Sequence, residues 1–287
     1  MKKNYTEFML GADPEFCCTP NKRSVNGENY IGDAYDKFGL DGNCYTFEVR
    51  PDPSKNPLQI VNNIHNIFAR KVIADQRLYN LKWIAGSYFD GNPLGGHIHF
   101  GYKNSNIDKS EIAKILSQYV GAITILIEDE KTGLKRRCDY GYYTDYRAQP
   151  YGMEYRTCSS WITSPYVAAG VLCLSKTVMY EILNNFQFKW EMRVGESDFN
   201  NMNIPIIRSY FPSVWNDITK MYLYQKYKIY IDLLYFLVNN NLTWFPVEGT
   251  KAAWGIVNPH PEIMPTYRSI GLNTIWGRYL SEREENG

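Results

Sequence analysis

Four short stretches of this chain, GADPEF, TFEVRP, GGHIHFG and GMEYRTCSS, each carry two ionisable residues at positions i and i+2. An extended strand sends neighbouring side chains to opposite faces, so each pair shares one face and the residue between them turns to the other. His97 and His99 then lie on one face, about 6.6 Å apart along it, with Ile98 and Phe100 directed to a core. Glu48 and Arg50 face away from Phe47 and Val49, and Glu154 and Arg156 away from Tyr155. Asp13 and Glu15 flank Pro14, which lacks an N–H and therefore belongs at a strand end or an edge. A solvated sheet face would mix Lys, Thr, Ser and Gln into such positions. These hold Asp, Glu, His and Arg beside glycines that let a ligand come close.

Between the strands the hydrophobic period changes to that of helices. NPLQIVNNIHNIFARKVIADQRLYNLKW puts Leu58, Val61, Ile64, Phe68 and Val72 on one face, after the opening signals Ser54 and Pro57. SEIAKILSQYVGAITILIEDE predicts a second helix capped by Asp108 or Ser110. A third is expected from Ser164 and a fourth from Asn216, and WIAGSYF is a further strand-like piece. No repeat or Pro/Ser/Gly-rich linker divides the chain. The pattern predicts a single α+β domain over residues 1–287, a mostly antiparallel sheet with helices on one face. Its chemistry-bearing part runs over 11–161, and a helical, aromatic part over 162–287. The stretch after Trp244 has no clear period, and SEREENG reads as a frayed end.

Composition narrows the chemistry. The 287 residues are 44% hydrophobic and 21% charged with a formal net charge of +1, so no general affinity for nucleic acid or anionic membranes is expected. The runs AITILI and LLYFLV read as too short to span a bilayer. The six cysteines contain no CxxC pair, which argues against a thiolate zinc site. The start MKKNYTEFMLGADPEF has no long apolar run and no small-residue cleavage site, so the expectation is reduced thiols in a cytoplasm.

If the four strands join one sheet, several carboxylates converge, and mutual repulsion demands protons or cations. Oxygen donors in that number suit Mg²⁺ or Mn²⁺. Arginines among them point to an anion bridging metal and guanidinium, and a nucleoside triphosphate fits. There is no GxxxxGK[ST], so the site is not a P-loop.

GADPEF, FGLDGNCYTFEVRP, GGHIHFG and RAQPYGMEYRTCSSW, in that order from about Gly11 to Trp161, resemble the phage-type carboxylate–amine ligases, or amidoligases, of the glutamine synthetase and glutamate–cysteine ligase superfamily. The resemblance implies a curved antiparallel sheet with helices on its convex face, holding ATP and divalent metals on its concave face. It implies phosphorylation of a substrate carboxylate to an acyl phosphate, then attack by an amine to give an amide. Carried over residue by residue, it makes Asp13, Glu15, Glu48, His97 and Glu154 metal ligands. His97 and His99 would meet metal or ATP phosphates, with Arg156 on the phosphates, and Arg50 and Arg147 on ATP or a substrate carboxylate. Arg156, Arg147 and Glu48 are the expected catalytic residues. The partners implied are a small-molecule or peptide carboxylate and an amine donor, in the host cytoplasm if the chain is phage-encoded. Ring assembly is known in that superfamily.

Other readings stand beside it. A guanidino kinase shares the fold and would release a phosphorylated guanidine. A zinc hydrolase would use His97, His99 and a carboxylate and leave the arginines unexplained. A binding module with a degenerate site is a third. Arg50 and Arg147 have a structural alternative as partners of acidic neighbours, and Asp13 as a turn cap beside Pro14. Asp41 in LDGN signals a hairpin turn, and Glu196 and Asp198 resemble a helix start. His65, His260 and Cys158 read as structural.

Overall fold

The structure, a computed structural model, describes residues 6–103, 107–185, 187–244 and 249–256. GADPEF does not form one strand. It ends β1 (Met9–Ala12), turns at Asp13 and Pro14, and opens β2 (Glu15–Thr19) in a different sheet. Pro14 sits where no ladder donor is required, as its missing N–H demands.

The remaining strands are β3 (Phe38–Leu40), β4 (Phe47–Val49), β5 (Lys82–Ile84), the small hairpin β6 (Tyr88–Phe89) and β7 (Asn92–Pro93), then β8 (Ile98–Gly101), β9 (Tyr146–Gln149) and β10 (Gly152–Tyr155). One four-stranded sheet has the order β1-β8-β10-β9 and the other β3-β4-β2-β5, and every pairing in them is antiparallel. Across the first sheet one register row reads Gly11, His99, Glu154, Arg147. In the second, Glu15 stands opposite Glu48 and Phe16 opposite Phe47. The LDGN turn joins β3 to β4 with Gly42 at φ 60, so Asp41 has the turn role its sequence signals.

The helices are α1 (Pro57–Ala74), α2 (Gln76–Tyr79), α3 (Lys109–Leu116), α4 (Ala122–Ile125), α5 (Glu130–Arg136), α6 (Pro165–Asn184), α7 (Glu196–Asn200), α8 (Ile204–Ile218), α9 (Tyr224–Asn239) and α10 (Thr250–Ala253). The first helix is shorter than its apolar period predicts. Asp75 leaves helical geometry at φ −138 and accepts from Arg77 N to start α2, and Lys82 onward is strand. The second begins as expected after Asp108, whose carboxylate accepts from Ser110 N at 2.7 Å. It widens into a π turn over Ser117–Gly121 before α4. Ser164 caps α6 as read, accepting from Val167 N. The fourth predicted helix is divided between two: residues 216–218 end α8, and α9 starts only at Tyr224.

The apolar faces of the two sheets meet the helices in one core. Phe16, Phe38, Phe47, Phe68 and Trp83 interlock under the second sheet at centroid distances from 5.0 Å, between Phe68 and Trp83, to 6.4 Å, between Phe38 and Phe68. Leu10, Ile98, Phe100, Met153 and Tyr155 do the same under the first. Among the described residues α6 alone is long and apolar enough to cross a bilayer, by length and composition only. It runs through the core, with 94% of its most apolar window buried. His65 is buried on α1 and Cys158 is in the core. Glu196 and Asp198 open α7. His260 and SEREENG lie outside the described residues.

Candidate active site

The faces opposite the core carry the ionisable residues, and they converge where β1 hands over to β2. Asp13 sits in that crossing. His99 Nε2 is 2.9 Å from Asp13 Oδ2, and His97 Nδ1 is 3.6 Å from both Asp13 Oδ1 and Glu154 Oε1. His97 Nε2 is 3.9 Å from Glu15 Oε1. One ligand atom each from Asp13, His99 and Glu154 lie within 4.8 Å of one another. Glu48 reaches the group through its ladder position opposite Glu15.

The glutamates of the site are buried, and the electrostatics follow. Glu15 is 1% exposed, Glu154 2% and Glu48 4%. Burial, and then the charge of Asp41, push the Glu15 carboxyl up to about 8. Burial and the neighbouring Asp13 charge push Glu48 up to about 9. Burial drives the His97 imidazole down to about 3. His99 goes the other way: burial opposes its charge, but the hydrogen bond to Asp13 and that carboxylate's charge raise it, and Asp13 is correspondingly lowered against its own burial.

Asp13 Oδ1, Glu15 Oε1 and His97 Nε2 are buried without a hydrogen-bond partner. Buried polar atoms are rarely left so, and an ion is one accepted reason. Gly95 keeps the space between them open. A Cβ there would stand 2.8 Å from Tyr140 Oη and 3.0 Å from Glu15 Oε1, and closer still to His97 Nε2. Ligands about 2.1 Å from one octahedral ion stand about 3.0 Å apart when adjacent and about 4.2 Å when opposite. The separations in this cluster match that range, and its carboxylates, Asp13, Glu15, Glu48 and Glu154, are donors suited to Mg²⁺ or Mn²⁺.

Arginines border the cluster on the β9–β10 side. Arg156 Nε is 3.3 Å from Glu154 Oε1, and its Nη1 is 3.6 Å from Asp145. Arg147 Nη1 is 3.3 Å from Glu154 Oε2 and remains 58% exposed. Arg50 follows β4: its Nη1 donates to the carbonyls of Ala34 and Asp36, its Nη2 to Leu40 at 2.9 Å, and it pairs with Glu48. Arg50 thus fastens the β3 loop, and its pair with Glu48 is the contact with an acidic neighbour open to it in the sequence.

Several residues at the site escape a sequence reading. Tyr140 donates its hydroxyl to Glu15 Oε2 at 2.9 Å, and Gly95 N donates to the same oxygen at 2.7 Å. Under Tyr140, at 4.4 Å from its ring, lies the fully buried Arg136 guanidinium. Arg136 donates to the carbonyls of Arg156, Thr157 and Cys158, fixing the chain that leaves β10. The neighbouring Arg137 is tied to buried Glu128 at 2.9 Å, which locks the end of α5 in place. Gln149 donates to Glu154, and Tyr151 bonds His99 Nδ1. A run such as DYGYYTDY has no period and marks none of its tyrosines as special. Nothing in the sequence marks Arg136 either, since its burial shows only in the structure.

Fold and site together define a protein with two antiparallel sheets meeting at an acid–imidazole cluster flanked by guanidinium groups. The chain belongs to the phage phiEco32-like COOH.NH2 ligase-type 2 family, whose model matches residues 10–256. It is therefore a member of a carboxylate–amine ligase family, and the match continues past Trp161 through the C-terminal helices. The guanidino-kinase and zinc-hydrolase readings find no support in it. No curated protein matches the sequence. Among solved structures, the chain is similar to the crystal structure of a bifunctional glutathione synthetase from Pasteurella multocida, at 9% identity and a TM-score of 0.48 over 96% of this chain and 52% of that one. It is also similar to the Plasmodium falciparum glutamine synthetase, seen by cryoEM, at 10% identity and a TM-score of 0.42 over 82% of this chain and 72% of that one. The chain spans about half the length of the Pasteurella protein.

Proposed function

We propose that the protein is an ATP-dependent carboxylate–amine ligase acting as a single domain in a reducing cytoplasm, and that the cluster is its reaction centre. The observation carrying this is the convergence of Asp13, Glu15, Glu48, His97, His99 and Glu154 with buried donor atoms left unpaired beside two arginines. Those six residues would hold Mg²⁺ or Mn²⁺. Bound there, such cations would supply charge neutralisation for phosphate oxygens.

The chemistry has two steps. A substrate carboxylate oxygen bonds to the γ-phosphorus of ATP, and ADP leaves. The amine nitrogen then bonds to the carbonyl carbon of the acyl phosphate, phosphate leaves, and the nitrogen gives up a proton. A carboxylate needs this activation because its oxygen is a poor leaving group. Arg156 and exposed Arg147, which border the cluster beside Glu154, would take phosphate oxygens as charge spreads in transfer. Asp145 and Glu154 orient Arg156.

The test is purified protein with ATP, Mg²⁺ and pools of amino acids, peptides and polyamines. We expect amine-dependent ADP release and a product with the mass of an amide. A product carrying phosphate instead would identify a kinase. Tight zinc with no nucleotide-dependent shift in melting temperature would identify a hydrolase. Glu15→Ala and Arg156→Ala should abolish ADP release with the fold intact by circular dichroism; near-normal turnover in either would undo the residue assignment.

A further inference from the structure

Beside the cluster lies a cavity of about 800 Å³, within the size range of small-molecule sites. Gly11 of β1, opposite His99, and Gly101 of β8, opposite Met9, form part of its floor. Their missing side chains matter: a Cβ on Gly101 would stand 3.3 Å from the Cβ of Met9, and one on Gly11 3.3 Å from that of His99. Pro51, Pro53, Pro150 and Tyr151 contribute the walls, and Asp13 and His99 close the inner end. The cavity therefore opens directly onto the acid–imidazole cluster.

The distribution of charge separates the two sides of the cluster. The register row Gly11, His99, Glu154, Arg147 puts the cavity at the β1–β8 end and the guanidinium groups at the β9–β10 end. Neither Arg147 nor Arg156 lines the cavity. Arg50 does, but its Nη1 and Nη2 are engaged by main-chain carbonyls. Lys103, two residues beyond Gly101, is exposed. A polyphosphate against these proline and tyrosine walls would lose water and meet few cations, whereas hydrocarbon gains by leaving water.

We propose that this cavity takes the body of the carboxylate or the amine substrate, and that this body is apolar, an alkyl or aromatic group. Its reacting end meets Asp13 and His99 while the nucleotide phosphates lie on the arginine side. The proposal rests on reading the cluster as the reaction centre.

Direct binding tests it without turnover. The probes are straight-chain carboxylates from acetate to octanoate and straight-chain primary amines from methylamine to octylamine, titrated into the Mg²⁺-loaded protein by calorimetry. One series should bind more tightly with each added methylene, by up to about fourfold per carbon. Which series responds tells whether the acid or the amine occupies the cavity. Gly101→Val, which fills the floor, should flatten that series and leave ATP affinity unchanged. Met9→Phe should do the same from a partly exposed position that tolerates a larger side chain. Chain-length independence in the unaltered protein would overturn the proposal. So would loss of ATP affinity in both variants, because the cavity would then hold the nucleotide. Chain-length dependence without ADP release from any substrate would support the apolar cavity and count against the ligase reading alone.

Discussion

Glu15 shows how much a single side chain depends on groups that do not touch a substrate. Its Oε2 accepts from Tyr140 and Gly95, which leaves Oε1 turned toward His97. Tyr140→Phe removes one donor and keeps the ring over Arg136. Supporting bonds of this kind are worth about 10- to 100-fold in metal affinity. We expect Mn²⁺ binding, followed by electron paramagnetic resonance, to weaken by about tenfold with no change in the far-ultraviolet spectrum. Lys176 gives a second residue-scale prediction. Burial lowers its amine to about 8 from 10.5, although its Nζ donates to the Phe8 carbonyl at 3.1 Å. The unfolded chain then binds more protons than the folded one between those values, so this lysine's contribution to stability grows as pH rises through them. Lys176→Met should be more stable than the parent at pH 7, and urea unfolding should show the difference shrinking between pH 8 and 10. At this scale the sequence was legible wherever a strand imposed alternation, as at His97, His99 and Glu154. It was silent where loops and a helix end supply the residue, as with Tyr140 and Arg136.

Elements were legible when both ends carried a local signal. Helix α6 opens with Ser164 before Pro165, and both reading and structure start it there. Ser164 accepts from Val167 N at 3.2 Å in a buried setting. Ser164→Ala should cost about 1 kcal/mol, read as a lower urea midpoint with an unchanged slope. The first helix was overextended because Asp75 interrupts it without breaking its apolar period. Helix α8 was missed because Pro212 lies inside it, which removes one helical donor and reads as a stop. GADPEF was legible as strand but not as two strands: Pro14 permits an end, and only the pairing partners β8 and β4 decide which sheet each half joins.

For the molecule as a whole, the cluster is a net burden on folding until a cation arrives. Glu15 and Glu48 are buried opposite each other, and desolvation resists their charge. An ion that binds only the folded state adds stability by mass action. Millimolar Mg²⁺ or Mn²⁺ should raise the melting temperature and chelator should lower it again. Glu48→Gln should melt higher than the parent in chelator and respond less to metal. A shift of the same size in this variant would remove Glu48 from the ligand set.

The crossing at Asp13 and Pro14 couples two properties that many proteins keep apart. Strand parity is counted from it: Glu15 turns outward only because Phe16 turns inward to the aromatic cluster. Insertion or deletion of one amino acid here would exchange their directions and present a phenyl ring to the acids. At this dipeptide the arrangement of the acids and the packing of the core therefore stand or fall together.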